Sequence, residues 1–226
     1  MVSRQAAKKA ARSVQLKEIF VHVEGGRNKS KDVEFRQGFA TFFRDLKARA
    51  SSKGIVLHFV LEQGRQQTFD RFRNLLGTDE TKLRLMLIDA EGPVAVFGET
   101  WQHLGDRLGD GWTPPENATD EHVHLMAQTM EAWYFADPEG LERCFGTNGF
   151  NRAALPKTHD VEAIPKARHV ESLNAAVKGT PSREYDKYRD APRVLMSIDP
   201  AKVRARAAHC ERFFAVVTRM IDEANG

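Results

Sequence analysis

A short, almost continuous apolar run, residues 83–88, narrows the possible folds of this chain more than any other segment. It leads directly into Asp89. A strand with one face in water alternates polar and apolar residues, whereas a continuous run is typical of a strand covered on both faces. Such strands belong to parallel sheets with helices on either side. The run therefore predicts a central strand of a parallel sheet.

Strand-like and helix-like segments alternate around this run. Residues 18–23 and 55–61 are rich in β-branched and aromatic side chains, and residues 122–128 form a fourth candidate strand. Helical spacing of apolar residues begins at about Ser30 and again over residues 65–76. The alternation predicts the α/β class, with a mainly parallel central sheet and helices on both faces.

The pattern divides the chain into three parts. Residues 1–17 form a basic tail, residues 18–145 carry the alternation, and residues 146–226 hold an irregular segment and a final helix. We expect the last part to pack on the core, since 226 residues are within reach of one α/β domain. Residues 98–117 and 146–191 are predicted to be irregular because glycine, proline or charge is frequent there.

The final helix is predicted to begin at Asp199 and Pro200, which suit an N-cap and the first helical position. Phe213 and Phe214 are adjacent in it and therefore about 100° apart around the helix axis. One of them is expected to face a second copy of the chain or an ATPase partner. The buried stripe is predicted to comprise Val203, Ala207, Cys210, Phe214, Val217 and Ile221.

Composition indicates the cellular compartment of the protein and gives only weak evidence about a nucleic-acid partner. The two cysteines, Cys144 and Cys210, form no CxxC pair, and no apolar run approaches the roughly 20 residues of a membrane-spanning helix. We expect a cytoplasmic protein that does not enter the membrane. The net charge of +3 is too small to indicate nucleic-acid binding by itself. The acid-free tail is either a solvated terminus or an arm that contacts phosphates, through Arg4, Lys8, Lys9, Arg12 and Lys17.

Acidic residues end two of the three clearest strands. Glu24 follows the first strand, and Asp89 and Glu91 follow the third. Open α/β sheets place their functional sites at the carboxyl ends of the strands, and residues two apart on a strand point to the same face. Clustered carboxylates repel unless a cation neutralises them, and oxygen ligands suit Mg²⁺ or Mn²⁺. The acids either bind such an ion or merely end their strands in solvent.

Three segments together resemble a family of bacterial proteins of unknown function with a Toprim-like (topoisomerase–primase) core, related to the OLD-type and RloB-like nucleases. The segments are Val23-Glu24-Gly25-Gly26, Leu87-Ile88-Asp89-Ala90-Glu91-Gly92 and Met130-Glu131-Ala132-Trp133-Tyr134-Phe135-Ala136-Asp137. The resemblance covers roughly residues 18–140. It implies a Mg²⁺-dependent nuclease acting on DNA or RNA, of the kind found in phage defence beside an ATPase.

The same resemblance implies roles for individual residues. Glu24 matches the general acid or base, while Asp89 and Glu91 match the metal-binding pair. Two departures stand out: Gly26 is followed by Arg27-Asn28-Lys29-Ser30 in place of the usual Gly-x-Thr-Glu continuation, and Glu91 replaces an aspartate. The extra methylene of glutamate moves the carboxylate by about 1 Å, and Mg²⁺ tolerates little distortion of its octahedron.

Further charged residues are candidates for the same site. Glu131 is either another metal ligand or the partner of an arginine. Arg65 follows the second strand and should point toward the strand-end acids. With Lys178, Arg183 and Lys187 it would contact phosphates, unless these are scattered surface charges.

Three functions remain open from the sequence. The first is a metal-dependent phosphodiesterase acting on nucleic acid. The second is a non-enzymatic binding or regulatory subunit with the same fold. The third is transfer or hydrolysis of a small phosphorylated ligand. No phosphate-binding Gly-Lys-Ser/Thr loop is present, so any control by ATP would have to come from a partner.

Overall fold

The computed structural model describes residues 15–26 and 29–224 and confirms the α/β class. Four parallel strands form one sheet in the order β2-β1-β3-β4. The basic tail predicted for residues 1–17 lies almost entirely outside the described residues. The strands are β1 (Glu18–Glu24), β2 (Val56–Glu62), β3 (Lys82–Asp89) and β4 (Val123–Met126).

Strand β3 has the central position that its apolar run predicts. Leu85 and Leu87 contribute to the core on one face of the sheet, and Met86 and Ile88 to the core on the other. All four side chains have no exposed surface. Because both faces are covered, the strand has no polar alternation, and because its neighbours run parallel, the strand ends collect at one edge.

Helices cover both faces of the sheet. They are α1 (Lys29–Phe42), α2 (Arg44–Ser52), α3 (Arg65–Leu75), α4 (Thr100–Asp106), α5 (Glu131–Tyr134), α6 (Pro138–Phe145), α7 (Lys166–Val177), α8 (Lys187–Ser197), α9 (Pro200–Arg204) and α10 (Ala208–Glu223). One core is rich in stacked aromatic rings, with Phe42 5.5 Å from Trp133 between ring centroids. The other lies beneath α3 and α4, where Phe69 stacks on Trp112 at 4.3 Å. No helix in the described ranges is long and apolar enough to cross a bilayer.

The prediction of irregular structure over residues 98–117 and 146–191 was wrong in part. The first segment contains α4, and the second contains α7 and the start of α8. Pro192 lies inside α8. Because proline normally ends a helix, its presence made α8 hard to predict from the sequence. Helix α8 packs closely on α1 at Gly38. A Cβ atom added to Gly38 would lie 3.0 Å from the carbonyl oxygen of Pro192, so the two backbones are nearly in contact there.

The prediction of one unbroken final helix was also wrong. Helix α9 ends at Arg204 and α10 begins at Ala208. Between them, the guanidinium of Arg206 donates hydrogen bonds to four backbone carbonyl oxygens, which fixes a break that apolar spacing does not reveal. The four carbonyls belong to Phe135, Ala136, Thr158 and His159. The predicted stripe is nevertheless buried throughout.

Both Phe213 and Phe214 are buried within this chain. Phe213 packs edge-on against His124, with ring centroids 4.9 Å apart, and Phe214 contacts Phe43 at 5.1 Å. The argument that one of them must face a partner therefore does not hold. Association with a second copy or an ATPase stays a prediction without that support.

His124 gives the fold a specific sensitivity to acid. It is buried in β4, and its Nδ1 accepts a hydrogen bond from Arg212 at 3.1 Å. Burial, with help from the Arg212 charge, lowers the pKa of His124 to about 3. In the unfolded chain a histidine takes up a proton near pH 6.5. The stability that neutral His124 contributes is therefore complete above pH 6.5 and is lost progressively as the pH falls toward 3.

His124→Asn should reduce this acid sensitivity, because asparagine offers an oxygen to Arg212 but does not titrate. Between pH 7.5 and pH 5, the variant should lose about 2 kcal/mol less unfolding free energy than wild type. Urea denaturation at the two pH values measures the difference. The exposed His159, replaced in the same way, is the control and should behave as wild type. Equal losses in His124→Asn and wild type would disprove the assignment.

Candidate functional site

The sheet topology brings two predicted site residues to the same edge. Glu24 is the last residue of β1, and Asp89 is the last residue of its neighbour β3. The register pairs Val23 with Leu87, so Glu24 and Asp89 end a parallel pair of strands and are offset by one residue. Their side chains retain 23% and 7% exposure respectively. The carboxyl edge of the sheet therefore carries a nearly buried acid beside a partly buried one.

Asp89 is held on three sides. Its Oδ1 accepts a hydrogen bond from the Met130 backbone N–H at 2.8 Å, and its Oδ2 accepts one from Lys187 Nζ at 3.2 Å. Arg65 donates to its backbone oxygen at 2.5 Å. Burial raises the pKa of Asp89, and the Lys187 charge offsets only part of that effect. The structure thus fixes the orientation of a carboxylate in surroundings that disfavour its charge.

Glu131 is a second buried carboxylate in the same cluster. It begins α5 and accepts hydrogen bonds from Thr129 Oγ1 at 2.8 Å and from Tyr185 Oη at 3.3 Å. Lys187 Nζ lies 3.6 Å from its Oε1, so its basic neighbour is a lysine rather than the arginine that we considered. Burial acts to raise the pKa of Glu131, but Lys187 and Thr129 outweigh it and the pKa is lowered.

Lys187 is the basic partner that these two acids share. It is the first residue of α8, and its ammonium contacts both Asp89 and Glu131. Burial would lower the pKa of Lys187, but the two carboxylates more than offset this effect and raise it. The sequence grouped Lys187 with phosphate contacts, whereas here it serves as the internal cation of the site.

Arg65 points toward the strand ends, as we predicted. Its Nη1 lies 3.4 Å from Glu24 Oε2, and its Nη2 donates to Asp110 Oδ2 at 2.6 Å. The guanidinium also lies 5.3 Å from the centre of the Trp112 ring. Burial, then the charge of Asp89, raises the pKa of Glu24, while Arg65 opposes the rise.

Glu91 lies at the rim and is not part of strand β3. The strand ends at Asp89, and Glu91 has φ of +68°, so alternation along a strand does not orient it. Its carboxylate contacts the ammonium of Lys166, and Arg107 lies 3.9 Å away. Glu91 and Asp89 therefore have different basic partners, although both of their charges act on Glu24.

The predicted phosphate contacts divide into separate regions. Arg65 and Lys187 belong to the acid cluster, whereas Lys178 and Arg183 line a cavity of about 540 Å³. None of the four candidate acids lines that cavity. Sequence order placed Arg183 and Lys187 four residues apart, but the fold gives them different surroundings.

Several residues of the site were not predicted. Asp110 forms ion pairs with both Arg65 and Arg107. Its position between Gly109 and Gly111, in the irregular segment after β3, is the sequence feature that could have marked it as a candidate. Lys166 and Tyr185 were missed as site residues because only tertiary packing brings them to the acids. They contact Glu91 and Glu131 respectively.

The donor groups can be compared with the needs of a divalent ion. Among residues 15–26 and 29–224, no three Asp, Glu, His or Cys side chains stand together as a ready-made metal site. Asp89, Glu131 and Glu24 nevertheless supply carboxylate oxygens, which are the ligands that Mg²⁺ and Mn²⁺ prefer. The ammonium of Lys187 lies 3.2 and 3.6 Å from two of these carboxylates, so a positive charge is already accommodated beside them. In charge and donor type the residues fit the ion.

The fold and the cluster define an α/β protein with paired carboxylates and basic residues at the carboxyl edge of a parallel sheet. The chain belongs to the family described as Domain of unknown function (DUF4276), whose profile matches residues 36–218. That range includes Asp89, Glu91, Glu131 and Lys187 and begins after Glu24. No curated protein and no solved structure matches the chain.

Proposed function

We propose that this protein is a Toprim-like, Mg²⁺- or Mn²⁺-dependent phosphodiesterase that cleaves DNA or RNA. The observation that carries the proposal is the position of Asp89. It is a buried carboxylate at the end of the central strand, with Glu131 and Glu24 nearby and a lysine as its nearest cation. Fixed carboxylates at such an edge are suited to holding an ion against a phosphate.

In this proposal, Asp89 is the principal ligand, with Glu24 and Glu131 as further ligands and Glu91 joining from the rim. When bound, the ion supplies positive charge that stabilises the transition state of phosphoryl transfer. Glu24 accepts or donates the proton of the reaction. Its pKa is raised toward neutral pH, and a catalytic acid or base is most efficient when its pKa lies near the operating pH. Arg65 keeps the Asp89 backbone in place through its hydrogen bond.

The substrate contacts follow from charge. Arg65 and Lys187 are close enough to the acids to meet the scissile phosphate, and Lys178 and Arg183 provide a second basic region for a longer strand. The proposal places the protein in the cytoplasm. An ATPase partner remains part of the proposal, because the sequence has no phosphate-binding loop of its own. Self-association is a separate prediction.

A cleavage assay tests the proposal. The protein is incubated with plasmid, single-stranded DNA and tRNA in Mg²⁺, in Mn²⁺ or in EDTA, with and without a candidate ATPase. We expect cleavage of at least one substrate that requires the divalent ion. Absence of cleavage under every condition would reject the nuclease function.

A non-enzymatic subunit is the second candidate, and one observation favours it. Each candidate acid already has a basic partner: Lys187 for Asp89 and Glu131, Arg65 for Glu24, and Lys166 for Glu91. A site in which every candidate acid already contacts a basic side chain can serve as a structural element. Nucleic-acid binding without cleavage, unchanged by EDTA, would support this function.

A further inference from the structure

The acid pair and Lys187 form a cluster with an unusual charge balance. Two buried carboxylates, Asp89 and Glu131, share one ammonium group at 3.2 and 3.6 Å. If both carboxylates are ionised, one negative charge remains after this pairing. The side chain of Lys187 keeps 37% of its surface exposed, whereas Asp89 and Glu131 keep 7% and 5%. The lysine therefore has a route to solvent that the acids do not have.

Lys187 and a divalent ion would compete for the same oxygens. An ion coordinated by Asp89 lies about 2.1 Å from a carboxylate oxygen, and the ammonium already lies 3.2 Å from Oδ2 of that group. Two cations this close repel strongly in a buried site with a low dielectric. The carboxylate is less free to move, because Met130 N–H binds its other oxygen. The lysine is the group that can leave.

We propose that Lys187 is an exchangeable internal cation, which a divalent ion displaces from Asp89 and Glu131 and which returns when the ion leaves. This inference rests on the metal binding of the proposed function. In the metal-free protein, Lys187 offsets part of the negative charge of the acid pair, so the fold does not depend on the ion. On displacement, its ammonium moves toward the solvent side of α8, where an incoming phosphate can meet it.

The exchange lowers the apparent affinity for metal, because binding must first break the contacts of Lys187. Lys187→Met keeps the aliphatic stem and removes the competitor. We expect it to bind Mn²⁺ about tenfold more tightly than wild type, equivalent to about 1.4 kcal/mol. Titration calorimetry and the electron paramagnetic resonance signal of free Mn²⁺ both measure the dissociation constant without reference to activity.

Lys202 offers a matched control. It also pairs with a buried aspartate, at 2.6 Å from Asp137, but that pair ties α9 to the start of α6 and lies outside the candidate site. Lys202→Met should bind Mn²⁺ as wild type does. An affinity of Lys187→Met for Mn²⁺ equal to or weaker than that of wild type would overturn the inference.

A second measurement uses the wild-type chain, in case Lys187→Met does not fold. Brief acylation of lysines followed by peptide mass spectrometry should show that Mn²⁺ increases modification of Lys187 severalfold and leaves Lys202 unchanged. If Mn²⁺ leaves Lys187 unchanged or protects it, the exchange does not occur. Tighter Mn²⁺ binding by Lys187→Met, combined with a complete absence of cleavage by the wild-type protein, would support the exchange and reject only the nuclease function.

Discussion

Asp89→Asn is expected to lower kcat/KM for metal-dependent cleavage by at least about 100-fold, or about 2.7 kcal/mol of transition-state stabilisation. Asparagine has nearly the same shape and keeps an oxygen for the Met130 N–H, which Asp89 binds at 2.8 Å. It removes the negative charge that holds the ion in the proposed function. Cleavage kinetics at saturating Mg²⁺ measure the loss, and Mn²⁺ titration should show weaker binding.

Asp137→Asn is the matched control, because Asp137 is likewise a buried carboxylate paired with a lysine. It binds Lys202 and the backbone of Asp199 rather than the strand-end cluster. We expect Asp137→Asn to lose stability while its kcat/KM stays within about twofold of wild type. An active Asp89→Asn protein would show that the site lies elsewhere. An equal loss in both variants would point to damage to the fold.

Glu24→Gln is expected to reduce kcat by at least about 100-fold, the usual scale for removing a general acid or base. Metal affinity should fall less than in Asp89→Asn if Glu24 mainly transfers protons. The pKa of Glu24 is raised by burial and by Asp89. If Glu24 acts as the general base, the rate of the wild type should decline as the pH falls through that raised value. Glu24→Gln should lack this acid limb, which a pH–rate profile of kcat/KM tests.

The same variant should not be destabilised at pH 8. A raised pKa means that the ionised carboxylate is less favourable in the folded than in the unfolded chain. Removing its charge therefore should not lower the free energy of unfolding at pH 8. Glu62→Gln is the control, since Glu62 ends the adjacent strand β2 and binds His22 at 2.9 Å. It should retain wild-type kcat. A Glu24→Gln protein that keeps wild-type turnover would remove Glu24 from the mechanism.

The sequence predicts the sheet well because the pattern of apolar residues along a strand depends on which of its faces are buried. The apolar run before Asp89 requires cover on both faces, and its counterparts before Glu24 and Leu61 join the same parallel sheet. Helices α7 and α8 were missed because Pro165, Pro181 and Pro192 suggest irregular backbone. Their stability comes from contacts with distant segments, such as that between Pro192 and Gly38.

The sequence also indicates the edge at which the acids gather, since parallel strands that end in Glu24 and Asp89 must end together. It does not reveal how the acids are neutralised. Glu91 leaves the strand and binds Lys166, and Lys187 inserts between Asp89 and Glu131. These partners are 75 and 98 residues from Glu91 and Asp89 in the chain.

What the sequence alone determined is the α/β class, the central strand and the position of Asp89 at its end. These features follow from periodicity and from the geometry of parallel strands, which act over a few residues. Only the tertiary structure decided that Lys187 is the cation of the acid pair and that Glu91 pairs with Lys166. Ion pairing depends on distance in space. The residues next to a lysine in the sequence do not indicate which distant acid its long, flexible side chain will contact.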